Sequence, residues 1–368
     1  MKLVGATSGD VSIQRGRIAV ISNSPPEIDV SNHIILPGLI NAHDHLEFSL
    51  FPRLGRRHYP NAAAWAKDIY KPDKPPVEEH RRVRKPIRLQ WGGIQNLING
   101  VTTVAHHNPY EPAFDRGFPV RVVRSYGWAH SLHFSPDLVK RFRATPARSP
   151  FIVHAAEGTD ADSRGEIETL DKKGVLGPRT VLVHATALDS AGLEIVRQRR
   201  ASIVWCPSSN VFTLGRTVSP EVLHSGVPIA LGTDSSLTSA GGMAAELKFA
   251  REFVPPDDLF AMVTWRAAQI LRLTSGEGEI REGGVADLIA VRDSSHMHPE
   301  LTIIGGKIKL VSAHFAERLP DKLKAGLNPI LVEGAGAWLV DADIPALMRA
   351  TEKVLGRNFR LGHKRVCA

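Results

Sequence analysis

IILPGLINAHDHLEFSLFPRLG, residues 34–55, is the stretch that decides how this chain folds. Apolar residues lead directly into a His-Asp-His triplet at residues 43–45. Alternate residues of a β-strand project to the same face, so His43 and His45 point the same way and Asp44 points away. Two imidazoles that converge at the end of a buried strand form half of a metal site. Two histidines in an ordinary turn give the same pattern, so the other ligands must be sought elsewhere in the chain.

The composition is that of a globular protein with a large core. The chain has 368 residues, of which 43% are hydrophobic and 23% charged, and this length suits one large α/β barrel or two ordinary domains. No apolar run is as long as a membrane span, and the first residues lack the apolar region of a signal peptide. Cys206 and Cys367 are the two cysteines, so no disulfide framework is expected. We expect a soluble, cytoplasmic protein.

The net charge of +8 raises the question of an anionic partner. Lysine and arginine are spread along the chain, and the denser patches at residues 81–85 and 197–200 have no aromatic residues between them. This pattern favours a solvated basic surface over a nucleic-acid interface, so we expect neither a nucleic-acid nor a membrane partner.

Apolar runs of strand length alternate with helix-like segments through the middle of the chain. Beyond the strand before His43, the runs are residues 101–105, 120–123, 126–132, 151–153, 180–183, 201–205 and 228–231. Uncharged, β-branched runs of this kind indicate parallel strands that are buried on both faces. Their number is the one that closes a (β/α)₈ barrel, so the predicted fold class is an α/β, TIM-like barrel.

The two ends of the chain predict a small flanking β-sandwich. Residues 1–33 contain a hairpin with its turn at Arg15-Gly16, and residues 280–318 return to a strand pattern, so we expect these segments to pair. The barrel is then assigned to residues 34–279, and residues 319–368 form a C-terminal extension with one helix at 344–355. The long segment at residues 48–86 is expected to cover the pocket, because loops of this length are usually functional.

Polar residues end several of the predicted strands, where barrel enzymes carry their active sites. His43 and His45 follow the first strand, His154 the fifth and Asp234 the eighth. Three imidazole nitrogens and one carboxylate oxygen suit one divalent metal, with Zn²⁺ as the first choice and Fe²⁺ as the alternative.

Glu157 and His184 lie close to this predicted site along the chain. Glu157 comes three residues after His154, which puts its carboxyl near the metal and suits proton shuttling. The alternative is an acidic residue that stabilises a helix N-terminus. His184 ends the next strand and is expected to orient or stabilise the nucleophile, while Asp234 can accept a hydrogen bond from the metal-activated water.

Five motifs in order resemble the amidohydrolase superfamily, and more narrowly its mononuclear branch of deaminases and triazine chlorohydrolases. They are IILPGLINAHDHL (34–46), HAAE (154–157), LVHATAL (182–188), WCPSSN (205–210) and LGTDSS (231–236). The resemblance covers Met1 to His314. It implies that His43, His45, His154 and Asp234 are metal ligands, that Glu157 is the general acid/base and that His184 is a further catalytic histidine. The bridging lysine or glutamate of two-metal members is not seen in residues 126–132, so one metal is expected.

The resemblance implies a metal-dependent hydrolase that acts on carbon–nitrogen bonds other than peptide bonds, with deamination of a nitrogen heterocycle as the leading interpretation. Hydrolysis of a cyclic amide or imidazolone on the same scaffold is the alternative. A non-enzymatic anion-binding protein is the competing class. The expected partner is a small-molecule substrate, and a homo-oligomer is left open. Candidate substrate contacts, each weighed equally against a structural role, are Arg53, His58, His107, His133, Trp205 and Asn210.

Overall fold

A small mixed sheet precedes the barrel. The computed structural model describes residues 1–20, 26–56, 58–293 and 297–367, so Ile21, predicted to continue the hairpin, lies outside the described residues. The sheet has the spatial order β3-β2-β1-β4, with β1 (Lys2–Val4), β2 (Val11–Gln14), β3 (Arg17–Ile18) and β4 (Glu27–Asp29). The predicted turn at Arg15-Gly16 joins β2 to β3, and Gly16 adopts its φ of 80° readily because it has no Cβ.

Eight parallel strands form the barrel and confirm the predicted fold class. After β5 (Ile34–Pro37), they are β6 (Leu39–Asp44), β7 (Val101–His106), β8 (Arg121–Val122), β9 (Gly127–Ala129), β10 (Phe151–Ala155), β11 (Thr180–His184), β12 (Ser202–Trp205) and β13 (Ile229–Leu231). Parallel ladders pair each strand with the next one from β6 through β8 and from β9 through β13. A parallel bridge between Asp44 and Asp234 links β6 to the end of β13. Among the described residues, no ladder joins β8 to β9. These two strands are the shortest pair of neighbours in the barrel.

Helices connect most of these strands. They are α1 (Ala62–Ile69), α2 (Val77–Arg82), α3 (Lys85–Ile98), α4 (Leu138–Ala144), α5 (Ala161–Lys172), α6 (Ser190–Arg199), α7 (Pro207–Leu214), α8 (Pro220–Leu223), α9 (Met243–Ala250), α10 (Pro256–Met262) and α11 (Trp265–Ile270), with 3₁₀ turns at Leu46–Phe48 and Pro112–Phe114. Asp160 and Asp189 begin α5 and α6 by accepting backbone N–H groups, which is the usual cap for a helix entered from a strand. None of the described helices combines the length and the apolar character needed to cross a membrane.

The C-terminal part of the chain builds an eight-stranded sheet against the barrel. Its elements are β14 (Leu288–Val291), β15 (Pro299–Ile304), β16 (Lys307–Ser312), α12 (Ala313–Ala316), α13 (Asp321–Lys324), β17 (Asn328–Val332), β18 (Gly336–Val340), α14 (Ile344–Leu355), β19 (Arg360–Leu361) and β20 (Lys364–Cys367). The spatial order is β19-β20-β17-β18-β16-β15-β14-β5.

The expected pairing of the two terminal segments is found at one edge, where residues 16–18 hydrogen-bond to residues 283–286, but it does not extend to the late strands. The late strands β14 to β16 do not share a sheet with the N-terminal hairpin, because β5 and β18 occupy their two edges. The N-terminal sheet instead packs face to face on them around a shared apolar core that includes Leu3, Ile28, Leu288 and Ile303. An antiparallel bridge between Arg17 and Val285 joins the two sheets at one edge.

The division into residues 1–33 with 280–318, 34–279 and 319–368 stays a prediction. The strand pairing adds that the C-terminal extension contributes β17 to β20 to the same sheet as β14 to β16, in addition to the predicted helix, which is α14. Trp91 of α3 donates its indole N–H to the hydroxyl of Thr351 in α14 at 2.8 Å, so the extension also packs on the barrel helices.

Candidate active site

Four side chains converge at the carboxyl ends of three barrel strands. Ligand atoms of His43, His45, His154 and Asp234 all lie within 4.8 Å of one another. Asp234 Oδ1 lies 3.6 Å from the Nε2 atoms of both His43 and His45, and His154 Nε2 lies 3.2 Å from His43 Nε2. All four residues are buried. The structure therefore brings together the residues that the sequence nominated as metal ligands.

Hydrogen bonds outside the cluster decide which atoms face its centre. The Nδ1–H of His154 donates to the carbonyl of His130 at 2.7 Å, which leaves the Nε2 lone pair facing inward. Asp234 Oδ2 accepts hydrogen bonds from the hydroxyls of Ser209 (2.5 Å) and Thr238 (2.9 Å), so Oδ1 is left for the centre. The ligand atoms are thus oriented by the protein itself.

The donor set fits a divalent metal. Burial lowers the pKa of His43 to about 3 and that of His154 well below its ordinary value, so both imidazoles are neutral and keep a lone pair. Three imidazole nitrogens and one carboxylate oxygen are ligands that zinc accepts in catalytic sites. Without a cation the same packing would leave polar nitrogens facing each other across a buried space.

Unusual backbone conformations turn the strand ends into the site. His184 and Asp234 have φ values of 76° and 58°, a left-handed region that side chains with a Cβ adopt at an energetic cost. Such conformations cluster at functional sites, where the surrounding structure enforces them. Here the N–H groups of Thr233 and Asp234 both donate to the carbonyl of His43. Gly232 allows this close approach, because a Cβ there would lie 2.8 Å from that of His43.

Glu157 and His184 lie side by side at the edge of the cluster. Glu157 Oε1 is 3.5 Å from His184 Nε2. Burial raises the pKa of Glu157 to about 7, so its carboxyl can gain or lose a proton near neutral pH. The Nδ1–H of His184 donates to the amide oxygen of Asn210 at 2.7 Å, which turns Nε2 towards Glu157.

Asp44 points away from the cluster, as the strand alternation predicts. Its Oδ2 accepts hydrogen bonds from the side chains of Asn41 (3.1 Å) and Asn96 (2.7 Å), and burial raises its pKa to about 7. Its backbone carbonyl accepts the N–H of His107 at 2.9 Å. These contacts tie β6 to α3 and β7 behind the two ligand histidines.

A cavity of about 950 Å³ opens above the cluster. Glu157, His184 and three of the cluster residues form its floor, and α1 forms one wall. Trp128, His130, Phe134 and Leu237 line the other sides. The segment expected to cover the pocket therefore does contribute to it, through Phe48 and α1.

The structure corrects most of the candidate substrate contacts. Of the six, His133 alone lines the cavity, and the other five lie elsewhere for different physical reasons. Arg53 and His58 border a separate surface cavity, where the guanidinium of Arg53 donates to the carbonyl of Ser239.

The remaining three candidates are buried and already hydrogen-bonded. His107 donates to the carbonyl of Ala129 at 3.2 Å from a position behind the ligands. Trp205 is fully buried and donates its indole N–H to Thr217. The amide oxygen of Asn210 is used by His184.

Sequence reasoning missed several residues of the site. His130 directly follows β9. A histidine at the end of a strand is the signal that identified His154, and it would have identified His130 if the end of this strand had been placed correctly. Trp128 and the α1 wall carry no comparable signal, because a lone tryptophan and a run of alanines are common in any helix or core. Ser209 lies in the motif WCPSSN, and Thr238 lies shortly after the motif LGTDSS. Only the fold shows that the hydroxyls of both residues donate to Asp234.

The fold and the site define a class: metal-dependent hydrolases built on a parallel barrel with their ligands at the strand ends. A sequence profile of the Amidohydrolase family matches residues 131–309. A 5-methylthioadenosine/S-adenosylhomocysteine deaminase of Thermococcus sibiricus is 31% identical over 367 aligned positions, which cover 80% of this chain and 84% of that protein. The chain belongs to the amidohydrolase superfamily.

Other similar proteins agree with this membership. A protein of Syntrophobacter fumaroxidans with the same deaminase name is 26% identical, with 77% of this chain and 80% of that protein covered. Among solved structures, an adenosine deaminase of Xanthomonas campestris with bound zinc superposes with a TM-score of 0.72 at 18% identity, covering 96% of this chain and 95% of that one. At that identity the superposition supports the fold alone. The chain is thus a hydrolytic enzyme whose relatives are deaminases.

Proposed function

We propose that the chain deaminates a small nitrogen heterocycle by hydrolysis. The observation that carries the proposal is the position of Glu157, whose carboxyl has a pKa raised to about 7 by burial and lies on the floor of the cavity beside the His₃Asp cluster. Replacement of an exocyclic amine by water needs a group that takes a proton from the attacking water and gives one to the ring. A carboxyl with this pKa can do both near neutral pH.

The bound metal is proposed to be zinc, with iron as the alternative. His43, His45, His154 and Asp234 would hold it. When bound, the metal lowers the pKa of a water molecule and so supplies the nucleophile at neutral pH. The support is the three-nitrogen, one-oxygen donor set and the zinc present in the similar adenosine deaminase.

The side chains around the metal are proposed to move the protons. Glu157 accepts a proton from the attacking water and delivers it to the ring nitrogen next to the carbon that carries the amine. His184 Nε2, 3.5 Å from Glu157, stabilises the charge that develops on the added oxygen. The remaining proton of the added hydroxyl then moves to the amine, the C–N bond breaks, ammonia leaves, and a carbonyl replaces the amine.

The test compares Glu157→Gln with the unmodified protein. Ammonia release should be measured on a panel of amino-substituted purines, pyrimidines, pterins and triazines, with metal content measured on the same samples. Because proton transfer by such a group contributes about 10²- to 10⁴-fold, Glu157→Gln should lower the turnover number by that factor while one zinc per chain is retained. Glu168→Gln, on the exposed side of α5, is the matched control and should leave both quantities unchanged.

Two results would count against the proposal. Unchanged turnover in Glu157→Gln would remove the proton-transfer role of that carboxyl. A metal-replete protein that releases ammonia from none of the panel, yet opens a cyclic amide or an imidazolone ring, would assign the same site to ring hydrolysis.

A further inference from the structure

We propose that the heterocyclic substrate carries an apolar substituent, such as an alkyl or aryl group, in place of a sugar. This inference rests on the proposed function and adds the chemical class of the group attached to the ring. It is drawn from the size of the cavity, the composition of its walls and the position of its carboxylates.

The cavity is much larger than a bare ring requires. Its volume of about 950 Å³ lies at the upper end of the range of about 300–1,000 Å³ that holds drug-sized ligands. The reacting carbon must lie at the floor, beside Glu157 and the ligand cluster. The space above the floor is therefore left for a substituent that extends from the ring towards the mouth.

The helix α1 provides an apolar wall for that substituent. Its residues Ala62, Ala63, Ala64 and Ala66 all line the cavity, together with Trp65 and Ile69. No residue of this helix is fully buried. Trp65 and Ile69 pack partly against a small apolar cluster of Phe51, Val77 and Leu237, whereas the four alanines belong to none of the apolar clusters of the described chain. A row of alanine methyl groups offers contact to carbon and no hydrogen bond.

The wall is fixed relative to the catalytic carboxyl. The N–H of Ala62 donates to the backbone carbonyl of Glu157 at 3.0 Å, and a β-bridge pairs Asn61 with Gly158. The side chain of Asn61 caps the helix by accepting the N–H of Ala64 at 2.9 Å. The apolar wall and the floor are thus one connected unit, and a ring placed for reaction at Glu157 also has a defined position against α1.

The remaining walls carry no carboxylate that would bind a sugar among the described lining residues. Phe48, Trp128, Phe134 and Leu237 line them, and the carboxylates among the described lining residues are Glu157 and Asp234, both at the floor. Ribose hydroxyls are commonly bound by a carboxylate, and none lies near the mouth.

Polar side chains also line the walls, and they are Lys67, Tyr70, Asn108, His130, His133, Ser135, Arg141 and Ser235. Two of them, Asn108 and Ser135, are already engaged with the protein. The amide N–H of Asn108 donates to Glu47 at 2.7 Å, and the hydroxyl of Ser135 accepts the N–H of His130 at 2.9 Å. A hydroxyl group moved from water to such a wall loses hydrogen bonds, whereas an alkyl chain gains by leaving water.

The test uses matched pairs of ligands that share a ring. They are 9-butyladenine with adenosine and 9-butylguanine with guanosine, measured by calorimetric titration of the zinc-loaded protein, with ammonia release assayed separately. Since each buried methylene favours binding, we expect the butyl compound to bind about tenfold more tightly than the riboside in at least one pair. Equal or weaker binding of both butyl compounds, including no binding by any of the four ligands, would overturn the inference.

A pair of variants ties this preference to α1. Ala63→Asp puts a carboxylate on the wall, in the first turn of the helix where an acidic residue is compatible with the helix dipole. It should abolish the preference for the butyl compound, whereas Ala63→Leu should preserve it. The two proposals can be separated. Preference for the butyl compound without ammonia release from any compound of the heterocycle panel contradicts the deaminase function alone, and ammonia release without that preference contradicts the substituent inference alone.

Discussion

Asn210 controls which nitrogen of His184 faces the catalytic site. Its amide oxygen accepts the Nδ1–H of His184 at 2.7 Å, and its amide N–H points towards Thr217 at 3.4 Å, which sets the orientation of the amide. Both residues are almost fully buried, so water cannot take over the role of the amide. Asn210 is therefore a positioning residue, acting through His184 and not through contact with substrate.

Replacement of Asn210 should separate positioning from substrate binding. Asn210→Ala is expected to lower kcat by about 10- to 100-fold with little change in KM, because partners of this kind orient a reacting group. Asn210→Asp keeps an acceptor oxygen for Nδ1–H and should recover part of the lost kcat. Steady-state kinetics on any substrate found by the ammonia screen provide the measurement. A rise in KM with kcat unchanged would instead return Asn210 to the substrate contacts predicted from the sequence.

At this scale the sequence predicted the floor of the site and not its walls. His43, His45, His154 and Asp234 follow strands, and local periodicity identifies strand ends. Asn210 and Trp205 belong to the same motif as Ser209, and no local pattern tells which of the three faces a cavity. Their roles depend on contacts with distant segments.

At the scale of elements, α3 holds the turn that follows His45. The 3₁₀ turn Leu46–Phe48 packs directly on α3 at Gly92, where a Cβ would lie 2.3 Å from the carbonyl oxygen of Leu46. Arg88 of the same helix donates to the carbonyl of Glu47 at 3.1 Å. The glycine is required for close approach, since its backbone conformation is ordinary for a helix.

Gly92→Ala should therefore disturb both folding and metal binding. We expect a loss of about 1–3 kcal/mol in the free energy of unfolding, as for other overpacked sites, together with weaker zinc binding because the displaced turn begins at His45. Gly165→Ala in α5 is the matched control, as nothing lies within 4 Å of the Cβ it would add. It should stabilise the protein by about 0.5–1 kcal/mol. Urea unfolding and zinc titration measure the two effects, and equal behaviour of the two variants would contradict this role of Gly92.

The elements of the barrel were largely predictable, and those of the flanking sheets only in part. Uncharged apolar runs such as residues 180–183 and 201–205 indicate buried parallel strands when helices alternate with them. The sequence pattern of residues 257–273 indicates one helix, but the structure divides this stretch into α10 and α11, because Thr264 leaves the helical conformation between them. Strands β17 and β18 escaped prediction, since exposed and buried residues alternate in them without the dense β-branched pattern of the barrel.

At the scale of the whole molecule, the C-terminal extension reaches back to the site. In the turn between β19 and β20, the N–H of Gly362 donates to the carbonyl of Ser49 at 3.0 Å. The ring of His363, in the same turn, donates to the carbonyl of Ser239 at 3.2 Å. Ser49 belongs to the loop after β6 and Ser239 to the loop after β13. The extension thus bridges the two loops that follow His45 and Asp234, the second and the last of the four ligands along the chain.

Two glycines of the extension allow this bridge to be tested against a matched control. Gly362 has a φ of 53°, and a Cβ there would lie 2.5 Å from the carbonyl oxygen of Gly241, in the loop after β13. Gly334, in the turn between β17 and β18, has a φ of 67° and no atom within 4 Å of a Cβ. Replacement by alanine at either position should lower the free energy of unfolding by about 1–2 kcal/mol, because both residues have a left-handed backbone conformation. Only Gly362→Ala should also weaken zinc binding, measured by competition with a chromogenic chelator, since it alone pushes on the loop that follows Asp234. Identical zinc affinities in the two variants would show that the extension supports the fold without supporting the metal site.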